Sequence, residues 1–418
     1  MLNRQVAPTL TPIKHIDFSV PQKHEIKNGI PFYWKNNIAN ETSKIELHFH
    51  AGTTIETPIL ASLMAGLLIS GTEKKSSVQI QHALDAVGAY YDVSVSQEQA
   101  VVTIYALKQY LKNAFDIFQE AFSNAIFPEK EIHEICNERQ EKLKVQLQKV
   151  NVLAQRKIQQ ALFENTPFSQ VISLEDYGRI QRADIIRFHE KHYLNGLSKV
   201  FLVGDLSEEE MKEMKESCAQ FTGDSPISKT VEFSRTSHVI HEEKSDALQT
   251  AIRIGKIMFT KTHPDFISFS VLNTILGDYF GSRLMSNIRE DKGYTYGIGS
   301  YMMENTHFGY FMIATEVAKE VKEATIQEVQ SEIERLQTSL VPEEELELVK
   351  SYLLGQLLKA ADGPYAMLDL FTGVELHGMD MSFYNQYIQK IQEITAEEIR
   401  EMACKHLEWK SLSIITVG

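Results

Sequence analysis

Cysteine is scarce: Cys136, Cys218 and Cys404 are the only three in 418 residues, far apart and without a Cys-x-x-Cys pair. That spacing offers neither a disulfide framework nor a thiolate metal site, and reads as reduced, mostly buried thiols. Positive charge is also short. Lys and Arg number 42 against 56 Asp and Glu, a formal net charge of −14. Such a surface repels nucleic acid and anionic membranes and suits basic or neutral peptides, although a solubility role explains it equally well. No stretch reaches about 18 uninterrupted apolar residues, and the opening MLNRQVAPTLTPIKHIDFSV has no continuous apolar core of a signal peptide. The expectation is a cytoplasmic protein with neither a signal peptide nor a membrane span. Phosphate-loop and dinucleotide glycine patterns are missing, Gly281-Ser282 being too short to count, and no Ser/His/Asp nucleophile motif stands out. What is present is an ordinary globular composition, 43% apolar and 23% charged, in a chain long enough for large buried cores.

The chain is written twice. Shifted by 214 residues, IQRADIIRFHEKHYLNGLSKVFLVG (180–204) lies on ITAEEIREMACKHLEWKSLSIITVG (394–418) without a gap. Ile180/Ile394, Ile185/Ile399, Lys191/Lys405, His192/His406, Val203/Val417 and Gly204/Gly418 are identical pairs. The same offset pairs Phe127-Pro128-Glu129 with Val341-Pro342-Glu343, each opening a long helical pattern at a proline. Two homologous halves follow, about 1–220 and 240–418, joined near 221–238 where Gly, Pro, Ser and Thr accumulate. In the first, Asn28-Gly29 suits a hairpin turn. Strands are expected at 44–52, 90–96, 100–107 and 198–204, with helices at 58–70, 76–87, 109–125, 129–163 and 182–193. The second predicts strands at 248–256, 294–301 and 308–316, and helices at 264–279, 281–292, 318–338, 342–362 and 396–407. Strands interspersed with paired helices imply an α+β fold in layers.

The most informative segment is SRLMSNIREDKGYTYGIGS (282–300). Leu284, Met285 and Ile288 form an apolar helical stripe, Gly293 suits a left-handed helix stop, and Tyr294–Tyr301 alternates as a strand does. Arg289 and Tyr296 then flank a tight helix-to-strand turn. A guanidinium and a phenol held together can grip a peptide carbonyl and the oxyanion formed from it. Ile288-Arg289-Glu290-Asp291-Lys292-Gly293-Tyr294-Thr295-Tyr296 resembles the I-R-E-x-x-G-x-x-Y motif of the pitrilysin/insulinase-type zinc peptidases, the inverzincins. The chain is most similar to their shorter members, related to mitochondrial processing peptidase. The resemblance covers nearly the whole chain. It implies two halves, each a mostly antiparallel sheet covered by helices, related by pseudo-twofold symmetry around a cavity, with Arg289 and Tyr296 as catalytic residues.

The same resemblance places a zinc motif, H-x-x-E-H, on the first long helix, shortly before a Gly-Thr. Anchored on Gly71-Thr72, Ser62 and Gly66 stand where the histidines belong and Ala65 where the glutamate base belongs. Glu141 falls near the third-ligand position, but one carboxylate does not retain zinc, and a solvated glutamate on a charged helix accounts for it. Elsewhere, His48, His50 and Glu46 alternate along one strand; they suit either a metal or a polar sheet face. His189-Glu190-Lys191-His192 also looks like a ligand cluster, yet its repeat partner, Ala403-Cys404-Lys405-His406, keeps only the second histidine, so His192 and His406 read as structural.

Family members lacking H-x-x-E-H but keeping Arg/Tyr resemble one half of a two-chain peptidase. The expectation is therefore a zinc-less subunit with no cofactor of its own. Zinc lies in a homologous H-x-x-E-H-bearing partner, substrates are peptides, and the isolated chain is a possible homodimer. The alternative is a non-enzymatic scaffold or peptide-binding protein of the same fold.

Overall fold

Alternation through Ser43–Phe49 sends Ile45, Leu47 and Phe49 into an apolar core and Lys44, Glu46 and His48 to the opposite sheet face. The computed structural model describes residues 13, 15–36, 41–223 and 231–418. The first sheet is built from β1 (Gln22–Glu25), β2 (Pro31–Lys35), β3 (Thr42–Phe49), β4 (Tyr90–Val95), β5 (Ala100–Leu107) and β6 (Leu197–Val203). Its helices are α1 (Pro58–Leu67), α2 (Ser77–Ala86), α3 (Leu111–Ser123), α4 (Glu129–Gln146), α5 (Val150–Leu162), α6 (Arg182–His189) and α7 (Glu208–Cys218). The second sheet contains β7 (Val239–Glu242), β8 (Gln249–Met258), β9 (Ile298–Glu304), β10 (Gly309–Ala318) and β11 (Ser413–Val417). With it come α8 (Phe266–Leu276), α9 (Lys322–Thr338), α10 (Glu343–Ala360), α11 (Pro364–Glu375), α12 (Ser382–Glu393) and α13 (Ala396–His406). The middle of the predicted joint, 224–230, lies outside the described residues. No described helix is long and apolar enough to cross a membrane.

The strand orders are β1-β2-β6-β3-β5-β4 and β7-β11-β8-β10-β9. Apart from the added edge strand β1 they correspond, down to the parallel pairs β2/β6 and β7/β11 among otherwise antiparallel neighbours. Pro128 and Pro342 cap α4 and α10 with matching backbone angles, φ −58°, ψ 137° and φ −55°, ψ 142°. The Lys-His pairs match too. His192 Nε2 meets Glu56, just ahead of α1, at 3.0 Å, and His406 Nε2 meets Asp265, just ahead of α8, at 2.7 Å. Lys191 and Lys405 reach the same two carboxylates. Each pair ties the end of a late helix to the start of an early one, which explains why the repeat keeps it.

The expected helix 129–163 breaks into α4 and α5, and α10 is followed after Gly363 (φ +90°) by α11, which together with α12 the sequence reading left unassigned. The breaks let the two halves exchange helices. Ala154, Ile158 and Leu162 of α5 pack on Ala251, Met312, Ile415 and Val417 of the second sheet. In return Phe371 of α11 packs on Tyr33 and Phe201 of the first, ring centroids 4.9 and 6.3 Å apart. Glu375 at the end of α11 accepts the Tyr33 hydroxyl at 2.7 Å and pairs with Lys199. Each sheet thus carries its own helices on one face and a borrowed helix on the other, and the seam between the halves is filled by side chains.

Candidate functional site

Arg289 lies in a π-helix, Met285–Asp291, whose wider turn is a common local distortion at functional positions. Its mount is rigid. Arg283 grips Glu345 of α10 through Nε and Nη2, both at 2.8 Å, while Asn287 donates to Glu332 and Glu328 of α9 at 2.7 and 3.0 Å. Gly293 ends the turn with φ +66°, as its position predicts. The strand does not begin at Tyr294. β9 starts at Ile298, because Thr295 folds the chain into a small turn instead. Its Oγ1 accepts the Gly297 N–H at 3.1 Å and the Thr315 hydroxyl at 2.9 Å, and it donates to the Glu316 carbonyl at 2.8 Å. Tyr296 sits at the tip, 95% exposed, with no hydrogen-bond partner among the described residues. The Arg289 guanidinium lies 4.6 Å from the centroid of Phe280, itself 65% exposed, and no hydrogen bond joins Arg289 to Tyr296 among the described residues. Phe280 escaped the sequence reading; an aromatic immediately before the helix was its only signal.

On α1, Ser62, Ala65 and Gly66 do share a face turned away from the core. The side chains facing them come from α4, and they are Ile135 and Arg139. Arg139 Nη1 donates to the Ser62 carbonyl and to Ser62 Oγ, the latter at 2.6 Å. A Cβ on Gly66 would lie 2.3 Å from Ile135 Cδ1 and 3.3 Å from Arg139 Nη2. Glu141 points elsewhere: its side chain is 71% exposed and 3.7 Å from Lys144 one turn on. These residues do not fit zinc. Serine, alanine and glycine offer neither imidazole nor carboxylate, Glu141 faces solvent, and the Arg139 guanidinium is held against Ser62.

His48 and His50 do not share a ligand set. β3 ends at Phe49 with a register shift between His48 and Phe49, so the same-face spacing is lost. His48 is buried, with Nδ1 3.2 Å from Gln99 Oε1 and Nε2 3.5 Å from Glu46. Burial opposes ionisation of Glu46, but the contacts with His48 and Lys44 outweigh it and hold the carboxyl below its usual range. The His50 imidazole is pushed down by burial and by the Lys199 and His192 charges. His189 packs edge-on against Phe122 and Phe127, ring centroids 5.0 Å away in each case, and burial holds it down at about 4. Among the described residues no group of three or more His, Cys, Asp or Glu side chains is placed to hold a metal ion. A groove of about 460 Å³ beside α4, lined by His133, Cys136, Tyr177 and Arg182 among others, contains none of the predicted site residues.

Comparison with known proteins covers most of the chain. A family profile described as "Insulinase (Peptidase family M16)" matches residues 32–174, and one described as "Peptidase M16 inactive domain" matches 179–353. The β subunit of mitochondrial-processing peptidase from Rattus norvegicus is 24% identical, over 94% of this chain and 83% of its own length. A Helicobacter pylori protein named "Non-peptidase homolog YmxG" is 23% identical, over 93% and 92% respectively. A Bacillus subtilis relative, an "Uncharacterized zinc protease YmxG", is 20% identical, over 91% and 94%. Among solved structures, a peptidase M16 inactive domain from Pseudomonas fluorescens superposes with a TM-score of 0.85 at 24% identity, covering 95% of this chain and 98% of that one. A Helicobacter pylori protease does so at 0.84 and 15%, covering 96% and 100%. The sheet order, the repeat, the Arg/Tyr turn and these matches agree, and the chain belongs to peptidase family M16, the insulinase-type peptidases.

Proposed function

We propose that the chain is the non-catalytic, zinc-less subunit of a heterodimeric peptidase. Built of halves 1–220 and 240–418 and working in the cytoplasm, it contributes Arg289 and Tyr296 to a site whose zinc is held by a homologous, H-x-x-E-H-bearing chain. The observation that carries the reading is how Arg289 and Tyr296 are mounted. Two ties to α9 and α10 and a threonine-held turn fix their backbone, yet the phenol is in solvent and the guanidinium rests on an exposed ring. The Tyr296 phenol has no hydrogen bond among the described residues, and Arg289 makes only surface contacts, a stack on Phe280 and a 4.0 Å approach to Glu290. Both are donors of the kind that bind a peptide carbonyl and strengthen their grip as it becomes an oxyanion. Because α5 and α11 fill the seam between the halves, a chamber for peptides calls for a second chain. Without that partner, a second copy of this chain is the natural occupant of the same surface.

The test is reconstitution with an H-x-x-E-H-bearing homologue from the same organism. Arg289→Ala and Tyr296→Phe lower turnover of the pair by about 10²–10³ while folding and association persist. The second reading, a scaffold or peptide-binding protein, is favoured by the non-peptidase name of the Helicobacter relative. A fully active double variant, or the lack of any zinc-bearing homologue among chains co-purified from the native organism, decides for it.

A further inference from the structure

The buried guanidinium of Arg253 has no part in either reading. It stands on β8, its side chain 9% exposed, and by strand alternation shares the sheet face of Ala251, which packs under Ala154 of α5. A charge taken out of water is costly unless its donors are used, so where they point is informative. Nη1 donates to the carbonyls of Ile252 at 3.0 Å and Thr315 at 3.2 Å, and Nη2 to Glu316 Oε1 at 3.1 Å. Nη2 also lies 3.5 Å from the Asn151 carbonyl at the start of α5, so the side chain is enclosed from both halves. Thr315 and Glu316 are the residues on which the Tyr296 turn rests. The Thr315 hydroxyl, on a residue 3% exposed, is 2.9 Å from both Thr295 Oγ1 and the Gly297 carbonyl, and the Glu316 carbonyl accepts the Thr295 hydroxyl at 2.8 Å.

We propose that Thr315 and Arg253 are positioning residues for Tyr296. Thr315 fixes the turn through its hydroxyl, and Arg253 fixes the end of β10 that carries Thr315 and Glu316. The proposal rests on the reading of Tyr296 as a substrate-binding donor and adds which buried groups set its place. The phenol has no hydrogen bond of its own among the described residues, so the backbone on either side of it decides where it stands. Placement matters at a reacting centre, where a shift of about 1 Å costs on the order of 10²-fold in rate.

Thr315→Val keeps the shape of the side chain and removes the hydroxyl, while Thr315→Ser keeps the hydroxyl. In the full chain, hydrogen exchange over 294–297 speeds about 2–10-fold in Thr315→Val, the equivalent of one net hydrogen bond, and returns to the natural rate in Thr315→Ser. In the pair reconstituted with the H-x-x-E-H-bearing homologue, Thr315→Val lowers turnover by about 10–10²-fold with KM little changed, and Thr315→Ser restores it. In a Tyr296→Phe background Thr315→Val costs nothing further, because both changes act through one phenol. Arg253→Met follows the same patterns. Melting temperatures confirm that each variant is folded, and the Thr315 variants carry the test if Arg253→Met does not fold. Unchanged exchange in folded Thr315→Val overturns the proposal. Additive losses in the double variant also overturn it, since general destabilisation gives that result. Unchanged exchange with an inactive Tyr296→Phe is a failure of this proposal alone; faster exchange with a fully active Tyr296→Phe is a failure of the peptidase reading.

Discussion

His189 shows what a single burial does. Its Nε2 is buried without a partner among the described residues, between Phe122 and Phe127, and its imidazole is held at about 4 against an ordinary 6.5. The folded state therefore keeps the ring neutral while the unfolded chain protonates it below pH 6.5. Stability is whole above that pH, falls progressively on acidification, and has lost about 3 kcal/mol from this residue once the pH is near 4. Urea midpoints between pH 7 and 4.5 are expected to fall more steeply for the natural chain than for His189→Leu. Parallel slopes would mean that other groups, His50 and His377 among them, carry the acid sensitivity. Its neighbour His192 is the opposite case, engaged with Glu56 and repeated at His406. Of the four residues His189–His192 the repeat correctly singled out the structural histidine, but nothing local announced that the other would sit between two phenylalanines.

At the scale of elements, whether positions 62, 65 and 66 can hold zinc is a matter of how α1 lies against α4. Restoring Ser62→His, Ala65→Glu and Gly66→His supplies the missing side chains without a place to put them. Ile135 has to move before any side chain fits at 66, Arg139 holds a positive charge at the site, and Glu141 faces solvent. The triple variant is expected to hold no stoichiometric zinc after dialysis and to melt below the natural chain. Elemental analysis finding about one tightly held zinc per chain would show that α4 yields and that Arg139 swings aside. That α1 carries no histidine was plain in the sequence. The identity of the facing residue was not, because the two-residue offset from Glu141 to Arg139 turns a side chain about 200° around α4, to the opposite face.

For the whole molecule, the exchange of α5 and α11 binds the halves into one unit. Phe371 belongs to the second half by sequence, yet its ring packs on Tyr33 and Phe201 of the first. Phe371→Ala is expected to cost about 3–5 kcal/mol, the usual penalty for emptying a buried phenylalanine site. Calorimetry should still show one transition, shifted down. Two resolved transitions, with only the second half destabilised, would mean that the halves unfold separately and that the borrowed helix is an ornament of the seam.

The sequence by itself determined the 214-residue repeat, the α+β alternation, the left-handed stop at Gly293 and the serine, alanine and glycine at 62, 65 and 66 of α1. All of these are written in residue types or in spacings shorter than one element, where chain geometry leaves few choices. Tertiary structure alone decided that the helix expected over 129–163 breaks so that α5 can cross to the other sheet, that α11 makes the return crossing, and that Arg139 rather than Glu141 meets Ser62. It also decided that Tyr296 stands on a turn held by Thr295 and Thr315, not on a strand. Those outcomes depend on which apolar face finds which distant sheet, a competition among long-range contacts that a local pattern does not encode.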